Sequence, residues 1–167
     1  MRYLVNFHLH FDHAGGNHQV KNAQLVIQHR EWHAGHDADL MAANGYVAAD
    51  YDHGHDLKLV EGEHDLFGDG SVVCVPTNGH TPGHQSLQVR LAGGDVLLTG
   101  DACYLRQTLE NLHLPASCMT AGRCWTACAA SAPCKPPARG FSVATARNSG
   151  RPCRKPRRRL FDPCLSG

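Results

Sequence analysis

The chain has 167 residues, with 16 Lys and Arg against 15 Asp and Glu and a formal net charge of +1. That length suffices for one domain with a real core, since folded chains of this size bury roughly 70% of the surface exposed when unfolded. No window reaches transmembrane length, MRYLVNFHLH is too briefly apolar for a signal sequence, and six of the eight Cys lie in an unusual tail. A membrane partner and a secreted disulfide framework are therefore not expected, and a cytoplasmic location is.

The net charge averages two unlike halves. Residues 1–117 hold six Lys or Arg, fourteen Asp or Glu, all thirteen His and two Cys; residues 118–167 hold ten Lys or Arg, one acidic residue, no His, six of the nine Pro and six Cys. The acidic, His-rich front suits divalent cations. The basic, Pro-punctuated back has no sustained apolar period that would build a helix or strand. We place a boundary near residue 117, with 1–117 a domain and 118–167 a tail that is not a folded domain.

In chain order, Tyr3 to Phe7 (YLVNF) reads as a strand ending at His8, and Gly15-Gly16 as a tight turn. Ala23 to Gln28 (AQLVIQ) is a second strand. Glu31 to Ala43 has helix composition, with Trp32, Leu40 and Met41 as apolar contacts; Gly35 weakens it and Asn44-Gly45 ends it. LKLVEG, SVVCVP, SLQVRL and DVLLTG are short β-rich runs between turns, a spacing that predicts a largely antiparallel sheet. Cys74, inside one of them, reads as a small buried hydrophobe.

HLHFDHAGGN concentrates ligand-type side chains. In an extended segment alternate side chains point the same way, so His8 and His10 converge on one ion, while the adjacent Asp12 and His13 must diverge. That geometry suits two neighbouring ions. Imidazole and carboxylate ligands fit Zn²⁺, with Fe, Mn and Co also compatible. His80 in NGHTPGHQS and Asp101 in LLTGDACY stand at further strand ends beside glycine; a carboxylate has two oxygens, so Asp101 is the candidate to join the ions. His33, His36, His53, His55 and His64 read as surface residues, and His84 as a structural neighbour of the site rather than a ligand.

HLHFDH followed by His80 and Asp101 resembles the metallo-β-lactamase superfamily in motif and order, over roughly residues 1–117. The resemblance implies an α+β fold: a partial αββα sandwich with mostly antiparallel sheet, here carrying a disordered or irregular C-terminal tail. It implies two Zn²⁺, the first bound by His8, His10 and His80, the second by Asp12 and His13, with Asp101 bridging. HFDHAGGN, GHTPGHQSL and LLTGDACY are most similar to the N-acyl homoserine lactonases, whose Tyr three residues past the bridging Asp corresponds to Tyr104. The implied activity is quorum-quenching hydrolysis of a small-molecule lactone by a hydroxide bridging the ions. Asp12 would carry a proton to the leaving alkoxide, and Tyr104 would bond the lactone carbonyl.

Two family parts have no counterpart. Members carry a segment before the motif, so Met1 is expected to be an internal start or fragment edge. They also carry a last His ligand, whereas no His follows His113; a frameshift near residue 117 would account for both that loss and the tail, and it predicts a weakened second metal site. A glyoxalase II-type thioesterase shares the motif and is the alternative enzyme. A β-lactamase fits less well, because the most active subgroup places Cys where Asp101 stands. An inactive metal-binding remnant is the non-catalytic alternative. Nucleic-acid binding by RKPRRR (Arg154 to Arg159) and a zinc knuckle at Cys124, Cys128 and Cys134 are set aside: such basic runs are ordinarily solvated and the Cys lack paired spacing. Oligomeric state and acyl-chain preference are not legible.

Overall fold

A computed structural model describes residues 1–104 and 142–144. In chain order the elements are β1 (Tyr3–Val5), α1 (Phe11–Ala14), β2 (Gln24–Gln28), α2 (His29–Ala34), α3 (Ala38–Asn44), β3 (Leu57–Val60), β4 (His64–Asp65), β5 (Val72–Pro76), β6 (Gln85–Leu91), β7 (Gly94–Leu98) and β8 (Ser142–Ala144). They form two sheets, one ordered β1-β2-β3 and the other β4-β5-β6-β7-β8. No helix among the described residues is long and apolar enough to cross a membrane.

β2 lies at the centre of the first sheet, and its composition says why. Leu25, Val26 and Ile27 are fully buried, a continuous apolar run of the kind needed where both faces of a strand are covered. Ile27 packs with Leu9, Ala14, Ala34, Tyr46 and Tyr51 under the helices. Val26 points the other way, to Val60, Leu66 and Cys74 between the sheets. Helices, first sheet and second sheet thus stack as the α, β and β layers of the expected sandwich.

The antiparallel expectation holds from β4 to β7. The first sheet runs parallel throughout, including LKLVEG as β3, and β8 joins β7 in parallel. Of the tail, Ser142–Ala144 is the part among the described residues; RKPRRR and Cys124, Cys128 and Cys134 lie outside them. The helix expected from Glu31 to Ala43 is two helices. α2 stops at Gly35, and Asp37 starts α3 by accepting from the backbone N–H groups of Asp39 and Leu40 at 3.1 and 3.0 Å, an N-cap that satisfies donors a helix start leaves open. Gly45 ends α3 with φ 69°, a left-handed cap that glycine adopts freely.

At the sheets' common edge the chain changes partner. The Asn6 N–H still donates to Val26 O, but Phe7 O accepts from the Gln85 N–H of β6 at 2.9 Å. The buried Gln85 side chain donates to Asn6 O at 2.8 Å and its amide oxygen accepts from Gln28 at 3.0 Å. These bonds replace the ladder where β1 ends, and they deliver His8 to the mouth between the sheets.

The β4–β5 turn carries a pH-dependent lock. Asp65 accepts from the N–H groups of Phe67, Gly68 and Gly70 at 3.1, 2.9 and 2.6 Å. Desolvation pushes its carboxyl up, but the three hydrogen bonds outweigh that and hold it below the usual carboxylate range. A depressed folded pKa stabilises above the unfolded value and is lost as pH falls through the folded one. The melting-temperature gap between wild type and Asp65→Asn is therefore expected at pH 5 and should close below about pH 3.8; a gap constant across that range would contradict the role of charge.

Candidate metal centre

Each ligand-type residue stands where a strand gives way to a turn. Leu9 is 1% exposed and packs into the helical layer's core, so its neighbours His8 and His10 project from a fixed point toward the mouth. His10 has an extended backbone and begins α1, which carries Asp12 and His13 on successive positions; a helical turn separates such neighbours by about 100°. His80 lies in the β5–β6 loop just after Gly79, whose φ is 144°. Asp101 follows Gly100, whose φ is 52° and where a Cβ would meet Phe7 Cδ2 at 2.3 Å, so only glycine fits that turn without displacement.

Two groups of ligand atoms result: His8, His10 and His80, and His8, His13 and Asp101, each with its atoms within 4.8 Å of one another. His10 Nε2 donates to the Asn44 carbonyl at 2.8 Å, which leaves the Nδ1 lone pair facing inward. Around that Nδ1 stand His8 Nε2 at 2.9 Å and His80 Nε2 at 3.2 Å. Asp101 sits between the groups. Its Oδ2 is 3.3 Å from His80 Nε2 and 3.8 Å from His8 Nε2, and its Oδ1 is 3.4 Å from His13 Nε2.

These residues fit a metal ion. A tetrahedral Zn²⁺ with bonds near 2.05 Å needs ligand nitrogens roughly 3.3 Å apart, close to the observed spacings. Three imidazole nitrogens at one point are otherwise poorly matched, because few protons can be shared among them. The buried Nδ1 atoms of His8 and His80 have no hydrogen-bond partner among the described residues, while the Nε2 atoms of both rings face His10 Nδ1 and Asp101, the side on which an ion would sit.

Electrostatics agree. Burial, followed by the neighbouring histidines, pushes His8 well below the ordinary imidazole value, and burial lowers His80 against the pull of Asp101; both shifts favour the neutral ring that a metal ion needs. His13 is raised, first by its hydrogen bond to Asp101. Desolvation pushes the Asp101 carboxyl up, but hydrogen bonding and charge from His13, charge from His80 and a hydrogen bond from Tyr104 outweigh it and keep the carboxyl low.

The structure thus gathers His8, His10, His13, His80 and Asp101. Asp12, 58% exposed at its side chain, lies 3.7 Å from His13 Nε2 and belongs to neither group. Tyr104 is half-buried and touches the site through Asp101. His84 is fully buried, with Nδ1 2.8 Å from Thr77 Oγ1 and its ring 5.2 Å from that of His8, a neighbour and not a group member. His33, His36 and His53 are exposed, and His55 and His64 half-buried. Sequence reasoning missed Glu31, fully buried beneath the site; a single Glu in a helix gives no signal of that.

The sandwich and its edge site define a class: the chain belongs to the metallo-beta-lactamase superfamily, whose family profile matches residues 2–132. Within it, the chain is 37% identical over 121 residues to the N-acyl homoserine lactonase AttM of Rhizobium radiobacter, covering 69% of this chain and 46% of that protein. It is 36% identical over 111 residues to the N-acyl homoserine lactonase AiiA of Bacillus thuringiensis subsp. kurstaki, covering 65% of this chain and 41% of that one. A solved N-acyl homoserine lactone hydrolase with N-hexanoyl-L-homoserine at its catalytic metal centre superposes with a TM-score of 0.68 at 30% identity, over 78% of this chain and 50% of that chain. The chain spans about half the length of the relatives it matches.

Proposed function

We propose that this domain is a zinc-dependent hydrolase that opens the lactone ring of N-acyl homoserine lactones. The observation that carries the reading is the pair of ligand groups sharing His8, with Asp101 between them; the lactonase relatives supply the substrate class. His8, His10 and His80 would hold the first ion, and His13, Asp12 and Asp101 the second, Asp101 reaching both. When bound, the pair would supply an activated water and a Lewis acid for the ester carbonyl.

The chain's own residues do the rest. Tyr104, held by Asp101, presents a phenol where the lactone carbonyl gains negative charge. Asp12, exposed at the rim beside His13, would carry a proton to the departing alkoxide. Burial of His8, Leu9 and His80 closes the floor of the site to water. A cytoplasmic setting is part of the same proposal.

Because His8 completes both groups, it cannot serve two ions fully, and the second ion is left with His13, an exposed Asp12 and a shared Asp101. One tightly held zinc per chain is therefore expected, with the second lost on dialysis; two retained ions would contradict this. The functional test is hydrolysis of an N-acyl homoserine lactone with and without added Zn²⁺, beside His10→Ala. Zinc-dependent ring opening absent from His10→Ala supports the proposal. Preference for a glutathione thioester would favour the glyoxalase II-type alternative, and inactivity toward both with zinc bound would favour a metal-binding remnant.

A further inference from the structure

We propose that Glu31 is a positioning residue for this centre: its buried carboxylate joins the two loops that carry His8, His10 and His80, and so holds these ligands at binding distance before an ion arrives. The inference rests on the metal-centre reading above and extends it to a residue that contacts no ligand side chain.

Glu31 is 0% exposed, and a buried carboxylate is costly unless its oxygens are filled. Four donors fill them. Oε1 accepts from the Leu9 N–H at 3.1 Å and the Tyr46 hydroxyl at 2.5 Å; Oε2 accepts from the Thr81 hydroxyl at 2.9 Å and the Gly83 N–H at 2.7 Å. An ionised carboxylate offers about four acceptor sites and no donor, which matches this set. Two of the donors are backbone N–H groups, which cannot turn round to accept.

The donors' addresses give the bonds their meaning. Leu9 lies between His8 and His10, so fixing its peptide fixes the direction of both neighbours. Thr81 follows His80 directly. The bonded residues of the two loops lie 22 residues from Glu31 on one side and 50 and 52 on the other, and His10 and His80 are 70 residues apart, yet the ring nitrogens meet within 3.2 Å. Close approach is built in as well: a Cβ on Gly83 would lie 2.3 Å from the Glu31 backbone nitrogen, so the ligand loop rests directly on the first turn of α2. Tyr46 anchors the same oxygen from beyond α3 while its ring stands 5.4 Å from that of His10.

The test is zinc affinity of the full chain, read by competition with a fluorescent zinc chelator far below the melting temperature. Glu31→Gln keeps the shape but sets an amide N–H₂ against backbone N–H donors. It is expected to fold, by circular dichroism and melting, and to bind its tightest zinc about 10- to 100-fold more weakly, as loss of a supporting shell does elsewhere. Ile27→Val, a core change on the same layer, is expected to keep wild-type affinity, which separates positioning from general stability. If Glu31→Gln does not fold, Thr81→Val removes one donor at constant shape and should weaken binding in the same direction. A folded Glu31→Gln, or failing that a folded Thr81→Val, with wild-type zinc affinity overturns the positioning role alone. A wild-type chain without measurable zinc affinity overturns the metal-centre reading and this inference with it.

Discussion

Replacing His8 by alanine is expected to leave the purified chain without stoichiometric zinc, a greater loss than His10→Ala or His13→Ala should cause. His8 is the residue common to both ligand groups, with Nε2 2.9 Å from His10 Nδ1 and 3.8 Å from Asp101 Oδ2. Removing His10 leaves His8, His13 and Asp101 together, and removing His13 leaves His8, His10 and His80. Neither set survives loss of His8. The ring is also fully buried among those of His13, His84, His10 and His80, so its deletion opens a space that its neighbours can enter, spoiling the remaining geometry. Metal analysis after gel filtration checks this: zinc near zero in His8→Ala, with residual zinc in His10→Ala and His13→Ala. Equal retention in all three would show that the shared position has no energetic consequence. Because ligand binding and folding are coupled, zinc should also raise the melting temperature of wild type and fail to do so in His8→Ala.

What the sequence made legible follows from how each signal is encoded. The convergence of His8 and His10 is a period-two property of one short segment, and the structure realises it because Leu9 between them is pulled into the core. His80 and Asp101 were readable as strand ends beside glycines, and they lie in the loops that follow β5, which ends at Pro76, and β7, which ends at Leu98. Strand partners were not readable. LKLVEG has β composition whichever way its neighbour runs, and only its register against β2 makes the first sheet parallel; the hint available was the unbroken apolar run of Leu25 to Ile27, which asks for cover on both faces. Asp37 was a helix start hidden by helix-forming residues on either side. Glu31 was beyond reach for a different reason: its partners are backbone donors 22 and 52 residues away, and no side-chain pattern records them. Asp12 shows the reverse case, since the motif names it as a ligand while the helical turn of α1 directs it to solvent.

Gly83→Ala is the second substitution with a large expected effect, and it should act on stability and site together. Gly16, close to the site, is the contrasting case: nothing lies within 4 Å of an added Cβ, and its φ of −86° is open to any residue. At Gly83 the added atom meets the Glu31 nitrogen at 2.3 Å and its Cα and Cβ at 2.8 Å. Two of those atoms are backbone, at the start of a helix packed on β2, so no rotamer change relieves the overlap. The loop must move instead. Moving it stretches the 2.7 Å bond from the Gly83 N–H to Glu31 and the 2.9 Å bond from Thr81, and carries His80 away from His10. Overpacking of this kind costs about 1–3 kcal/mol, and the loosened carboxylate adds to it. Denaturant unfolding should therefore show Gly83→Ala destabilised by ~3 kcal/mol, with Gly16→Ala within about 0.5 kcal/mol of wild type. Zinc affinity should fall in the first and hold in the second; a Gly83→Ala chain that keeps both its stability and its zinc would mean that the loop can shift without disturbing either the carboxylate or the ligands above it.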